Sequence, residues 1–266
     1  MSVLVIGAYG SVGGYVVDGL LSAGASVRGT SRSPRTGELR DAVEMVRLDL
    51  DVPETLPAAL EGVEKVFLYA NPEGVTEFVK AARNAGVKHV VLLSSASVME
   101  PSMQQSRSAR MHSAVEEALQ ESGIAWTFLR PTTFATKQLS WASAIRSGEE
   151  LRIPFLQLRT ASIHERDIAD VAVSVLTGAG HEGKGYWLTG PQALTQQEHI
   201  EAIGAAIGRS IAAVEQDPED IEPRLVQTVA ELMKAPCVVT SIVEEITGAP
   251  ARSFRQWADD HVKDFS

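Results

Sequence analysis

The chain has 266 residues and a formal charge of −10, from 24 basic and 34 acidic side chains. That balance argues against a nucleic-acid backbone or an anionic membrane as the main partner, since both call for a cationic face. Apolar residues make up 44% and charged residues 22%, as in globular proteins, and the single cysteine, Cys237, leaves no disulfide framework and no cysteine-based metal cluster. No apolar run reaches the roughly 20 residues of a membrane span. The opening MSVLVIGAYG enters a strand-like run with no basic segment or cleavage site ahead of it, so a cytoplasmic protein is expected.

Val3 to Ile6 is a continuous aliphatic run, the pattern of a strand buried on both faces. A glycine-rich turn follows, and Val12, Tyr15, Val16 and Leu20 then recur with helical spacing. Strands are predicted over 25–30, 43–48, 63–70 and 88–94, the last two separated by a helix with Val75, Phe78, Val79 and Ala82 on one face. Met111, Val115, Ala118 and Leu119 mark a further helix between 108 and 123, and 124–129 returns as a strand. Such alternation with short connections predicts a Rossmann-type, doubly wound α/β fold with a parallel sheet. Beyond Pro131 the pattern loosens. Residues 134–146 read as helix, 151–160 as an irregular stretch, 185–188 as a short strand and 195–207 as helix. Ser162 and Glu165 have capping-box spacing ahead of Ile168, Val171, Ala172, Val175 and Leu176. The tail from Asp217 is polar, with helical stretches and a break at Pro236. The expected organisation is a nucleotide-binding core over 1–130 and a smaller, mostly helical substrate lobe over 131–266 that packs on the core and adds at least one strand.

Gly7-Ala8-Tyr9-Gly10-Ser11-Val12-Gly13 joins the first strand to the first helix. In a dinucleotide-binding turn one such glycine makes the tight turn, one admits the pyrophosphate and one lets helix and strand pack closely. The helix N-terminus offers unpaired N–H groups to the phosphates. After the second strand, Gly29-Thr30-Ser31-Arg32-Ser33-Pro34-Arg35 carries no acid before Glu38. NAD binders place a carboxylate near there for the ribose 2′-hydroxyl, whereas Arg32, with Ser31 or Ser33, suits a 2′-phosphate. NADPH is therefore the expected cofactor, against the alternative of a plain solvated basic loop.

These segments resemble the atypical short-chain dehydrogenases/reductases, within them the NmrA-like and quinone-oxidoreductase-like group. The resemblance rests on GAYGSVGG, TSRSP, HSAVEEALQESGIAWTFLRPTTF and HERDIADVAVSVL, and extends loosely through LTGPQALTQQEHIEAIGAAIGR. It implies that the loop from Gly7 through Tyr9, Gly10, Ser11 and Val12 to Gly13 holds the pyrophosphate and that Ser31 and Arg32 meet the 2′-phosphate. It further implies that Asp49 and Leu50 flank the adenine, Ala70 and Asn71 line the adenosine ribose, and Pro131, Thr132 and Phe134 lie near the nicotinamide. Asp49 also reads as a cap for a helix beginning near Glu54.

Typical members of the superfamily combine a serine after the fifth strand with a Tyr-x-x-x-Lys pair on the next helix. Ser95 matches the serine. Between Gln104 and Gln120 there is no tyrosine and no lysine, and Ser108 and His112 stand at the four-residue spacing instead. His112 is thus a candidate for the ribose or for proton relay, or an ordinary helix histidine. His164 is placed at the rim of the substrate cleft. The histidines lack metal-ligand spacing, so no metal is expected, and no G-x-S-x-G elbow is present. Ser97, Met99, Met103, Trp141 and Phe155 are the candidate substrate contacts, with Phe134 and Leu156 beside them, although bulky apolar residues also make core.

The leading expectation is an NADPH-dependent reductase of a hydrophobic ketone or quinone, acting as monomer or homodimer, with Ser95 and His112 catalytic. The alternatives are an NADP(H)-sensing protein without turnover, and a non-redox isomerase or cyclase on the same fold.

Overall fold

The computed structural model describes residues 1–34, 43–223 and 237–266, together with Val226, Val229, Ala230 and Met233. Arg35, Glu38 and the expected break at Pro236 lie outside the described residues. Two units divide the chain, Met1–Pro131 with Ile168–Trp187, and Thr132–Asp167 with Leu188–Ser266.

The first unit is built on a sheet whose strands are β1 (Ser2–Ile6), β2 (Ser26–Ser31), β3 (Glu44–Arg47), β4 (Lys65–Tyr69), β5 (His89–Leu93), β6 (Ala125–Pro131) and, from later in the chain, β9 (Lys184–Leu188). Their order is β3-β2-β1-β4-β5-β6-β9. The five pairings from β3 to β6 are parallel. Gly183 donates to the Trp126 carbonyl and Thr132 to that of Leu188, so β9 runs the same way as β6. Val3, Leu4 and Val5 are wholly buried, which is why β1 reads as an unbroken apolar run. Between the strands run α1 (Gly13–Ser22), α2 (Leu56–Leu60), α3 (Val75–Ala85) and α4 (Arg107–Glu121), and α6 (Glu165–Thr177) precedes β9. Val16, Val17 and Leu20 of α1, Phe78 and Ala82 of α3, and Val115 and Leu119 of α4 are buried. The order reverses between β1 and β4, and ligands of such sheets bind beyond the carboxyl ends of the strands at that reversal.

The second unit contains α5 (Ala142–Ser147), α7 (Gln196–Ile207) and the helices Ile242–Thr247, Phe254–Asp260 and Val262–Phe265. The stretch expected to be irregular holds β7 (Leu151–Ile153), which pairs with β11 (Ala213–Glu215), and β8 (Arg159–Thr160), which pairs with β10 (Leu194–Thr195). Periodicity cannot reveal strands of two or three residues whose partners lie tens of positions away. The helix expected over 134–146 is a 3₁₀ segment, Ala135–Trp141, running into α5. Ser162 does not cap α6: its hydroxyl pairs with Thr160 at 3.1 Å, while His164 Nδ1 accepts the N–H of Arg166 at 3.2 Å.

His199 on α7 is fully buried, tilted against Phe254 at 4.1 Å, and neither ring nitrogen has a hydrogen-bond partner among the described residues. Burial holds its pKa down at about 4. Between the unfolded value and that one the unfolded chain binds a proton that the folded chain refuses, so stability falls as pH drops through this window. The shift corresponds to about 3 kcal/mol at and below pH 4. A His199→Leu chain is expected to match or exceed wild type in urea unfolding at pH 7.5 and to lose less on acidification to pH 4.5. Identical acid slopes for the two chains would refute this.

Candidate active site

Gly7 ends β1 with φ +79°, a conformation that favours glycine, and its carbonyl accepts the N–H of Gly10 at 2.9 Å. A Cβ on Gly13 would stand 2.2 Å from that same carbonyl oxygen, so α1 can start this close to the strand only on a glycine. Gly10 and Ser11 form the exposed crest of the loop and Tyr9 is half-buried. Val12 is 4% exposed, so its side chain serves the core and only its backbone can meet a ligand. No side chain caps α1. Its first N–H groups are those an anion would satisfy, which is the fit expected of a pyrophosphate site.

Arg32 is exposed at the end of β2, and Ser31 Oγ accepts the N–H of Ser33 at 3.2 Å. The ring of Tyr69, at the end of β4, lies 3.5 Å from the Cβ position of Gly7 and is 38% exposed. Burial raises the Tyr69 pKa, with the Arg32 charge opposing and Asp49 and Asp51 reinforcing the shift. Asp49 caps no helix. Its carboxylate accepts the N–H of Asp51 at 3.2 Å, and its backbone N–H and carbonyl both engage the Thr55 hydroxyl. Leu50 is 2% exposed and belongs to the core, so its side chain offers no surface for an adenine. Ala70 is half-buried, and the Asn71 amide joins Asp51 Oδ1 at 3.0 Å to the N–H of Gly74 at 2.8 Å.

Beyond β5, Ser94 Oγ donates to Glu116 Oε1 at 2.6 Å, and Arg130 on β6 grips the same carboxylate through Nε at 2.9 Å and Nη2 at 2.6 Å. This trio, with Ser94 and Glu116 buried and Arg130 partly so, ties β5, α4 and β6 together just before Ser95. Ser95 is half-buried and its Oγ accepts the N–H of Ser97. Among the described residues no hydrogen bond joins Ser95 to His112, the two residues expected to be catalytic. The hydroxyls of Ser97 and Ser108 meet instead at 3.1 Å, with His112 Nδ1 3.5 Å from Ser108 Oγ and 2.8 Å from the Ser108 carbonyl. Met99 is 38% exposed, and Met103 is half-buried in the short helical turn Pro101–Met103.

In the second unit Thr132 is tied by its hydroxyl to the Ala161 carbonyl at 2.8 Å, and Phe134 bridges to Ile163. Pro131, which closes the first unit, is buried, and Trp141 is half-buried. Phe155 has φ +59°, held there as the N–H groups of Phe155 and Leu156 bind the Glu215 carboxylate at 2.7 and 3.0 Å. His164 is not at a rim. It is 1% exposed and its Nε2 faces Asp260 at 3.3 Å. Next to it, His261 bonds Glu165 at 2.9 Å and Asp264 at 2.7 Å, and the Glu165 bond, working against burial, raises its pKa. Asp167 is bound by Arg252. The HERD segment thus anchors the C-terminal helices.

Residues 7–179 match a family described as NAD(P)H-binding. The chain belongs to that family. Along 99% of both chains it is 36% identical to the (4-alkanoyl-5-oxo-2,5-dihydrofuran-3-yl)methyl phosphate reductase of Streptomyces griseus and 35% identical to the NAD(P)H azoreductase of Xenophilus azovorans. The solved triphenylmethane reductase of Citrobacter sp. superposes with a TM-score of 0.84 at 24% identity, covering 99% of this chain and all of the other, and shares its fold. With the motifs above, this places the chain among the atypical short-chain dehydrogenases/reductases of the NmrA-like group, as an NAD(P)H-dependent oxidoreductase.

Four residues of this reductase were missed in the sequence. Tyr69 carried a signal, an aromatic ending an apolar strand beside Ala70-Asn71. Ser94, Glu116 and Arg130 carried little: a helix glutamate and a strand arginine 14 positions apart read as two solvated charges until the fold brings them together.

Proposed function

We propose that the protein is an NADPH-dependent reductase of an electron-poor, hydrophobic small molecule, a quinone or conjugated ketone. The glycine loop at the reversal of the sheet order carries the reading: Gly13 leaves no room for a Cβ, and the start of α1 is uncapped. Gly7, Gly10, Ser11 and Gly13 hold the pyrophosphate, Tyr69 and Asn71 border the adenosine, and Arg32 takes the 2′-phosphate. The reductase and azoreductase activities named for the two relatives support a hydride acceptor whose charge is delocalised. When bound, reduced nicotinamide supplies the hydride, while the acceptor's oxygen gains the displaced electron pair and takes a proton from water. Ser95 donates a hydrogen bond to that oxygen, His112 orients the serine cluster beside it, and Met99 and Met103 offer apolar surface to the acceptor.

NADPH oxidation measured against a panel of quinones and conjugated ketones tests the reading. Cofactor binding with no consumption on any acceptor would favour a sensor instead. Replacing Arg32 with Glu is expected to weaken NADPH by about 1.5–3 kcal/mol, the worth of a charged hydrogen bond, and to leave NADH nearly unchanged. Fluorescence titration that finds equal NADH and NADPH affinity in wild type would remove the basis for this.

A further inference from the structure

The superfamily position directs attention to Ser95, but the hydrogen bonds converge elsewhere. Ser108 Oγ has the Ser97 hydroxyl at 3.1 Å and His112 Nδ1 at 3.5 Å. The Ser108 carbonyl, 2.8 Å from that same Nδ1, can only accept, so Nδ1 carries the imidazole hydrogen and gives it chiefly to that carbonyl, with Ser108 Oγ a long second contact that holds the first turn of α4 in place. Ser97 is 5% exposed and Ser108 is half-buried. The buried hydroxyl backs the accessible one. Burial favours Ser97 as the donor of the pair, since its hydrogen has no water to turn to, and with that bond arriving at Ser108 Oγ the hydrogen of the less buried Ser108 is left to point away from the cluster. A hydroxyl that accepts a hydrogen bond is a stronger donor. The segment 94–98 follows β5 on the carboxyl edge of the sheet, the same edge that carries the glycine loop after β1. Ser106 caps α4 by accepting the N–H of Ala109 at 3.0 Å, which fixes Ser108 in the first turn of that helix.

We infer that Ser108 is a second catalytic hydroxyl, a hydrogen-bond donor to the acceptor oxygen on which negative charge builds, and that Ser97, which turns its hydrogen outward, and His112, which holds its turn of α4, are positioning residues. The inference rests on the proposed reductase reading. No proton leaves Ser108 for good: it donates a hydrogen bond, and water supplies the proton that ends on the product.

The test is turnover of the best quinone of the panel by wild type, Ser108→Ala, Ser108→Thr and Ser97→Ala, with NADPH affinity and melting temperature measured for each. Ser108→Ala is expected to lose about 10²-fold in kcat, the usual cost of one oxyanion donor, with KM and NADPH affinity within threefold of wild type. Ser108→Thr, which keeps the hydroxyl, should recover most of that loss, and Ser97→Ala should lose about tenfold through misdirection of the Ser108 hydrogen. A readout independent of turnover is the binding of 2-naphtholate, an oxyanion, to the NADP⁺-loaded protein, expected to be about tenfold weaker in Ser108→Ala. Wild-type turnover matched by Ser108→Ala, a threonine variant as impaired as the alanine one, or equal naphtholate affinity in wild type and Ser108→Ala overturns this assignment and leaves the reductase reading standing. Wild type that consumes no NADPH with any acceptor overturns both.

Discussion

A Gly13→Val chain is expected to lose NADPH binding by about 100-fold or more, roughly 3 kcal/mol, and to melt at lower temperature. The added Cβ would lie 2.2 Å from the Gly7 carbonyl oxygen and 2.9 Å from its carbon. Both atoms are backbone, so no side chain can rotate aside, and the helix must move off the strand. Moving it displaces the N–H groups at the start of α1 from the pyrophosphate that the proposed reading assigns to them. Gly14 is the control: its Cβ would meet only the Ala8 carbonyl oxygen at 3.6 Å, an ordinary contact, so Gly14→Ala should bind NADPH as wild type does. Fluorescence titration of both variants checks this. Normal binding by Gly13→Val would mean that the loop is a structural turn and not the phosphate site.

Glu116→Ala is expected to cost about 3–5 kcal/mol in urea unfolding, the cost of breaking a buried ion pair from one side. The carboxylate is 8% exposed and is shared by Ser94 and both arms of the Arg130 guanidinium, itself 20% exposed. Truncation leaves that guanidinium half-desolvated with no acceptor, and it frees the residue immediately before Ser95. Glu116→Gln keeps the shape and one acceptor and should lose less. Replacing Glu116 and Arg130 together with apolar residues should recover much of the loss, since a well-packed apolar pair can equal a buried ion pair. A loss below 1 kcal/mol in Glu116→Ala would show that the pair is solvated in the folded chain.

The two predictions also mark how far the sequence was readable. Gly13 could be picked out from residues alone, because a strand fully buried on both faces needs an unbroken apolar run, and a turn pressed against a helix start needs glycine. Both are local demands on side-chain chemistry and backbone angle, and a linear pattern records them. The same holds for the helix faces of α1, α3 and α4. His164 and Ser162 show the limit. Their spacing allowed a cleft-rim histidine and a capping serine, but burial and hydrogen-bond partners come from distant segments: Asp260 lies 96 positions from His164.

What the sequence by itself determined about this protein is the order of its sheet-forming segments along the chain and the glycine turn between the first strand and the first helix. Those follow from periodicity and from residues that only one backbone conformation suits. What only the tertiary structure decided is which polar groups share a site. It joined Ser97, not Ser95, to Ser108 and His112, and it set Glu116 between Ser94 and Arg130. A hydrogen bond depends on a few tenths of an ångström and on direction, and those are set by how α4 lies against the ends of β5 and β6, which no spacing along the chain encodes.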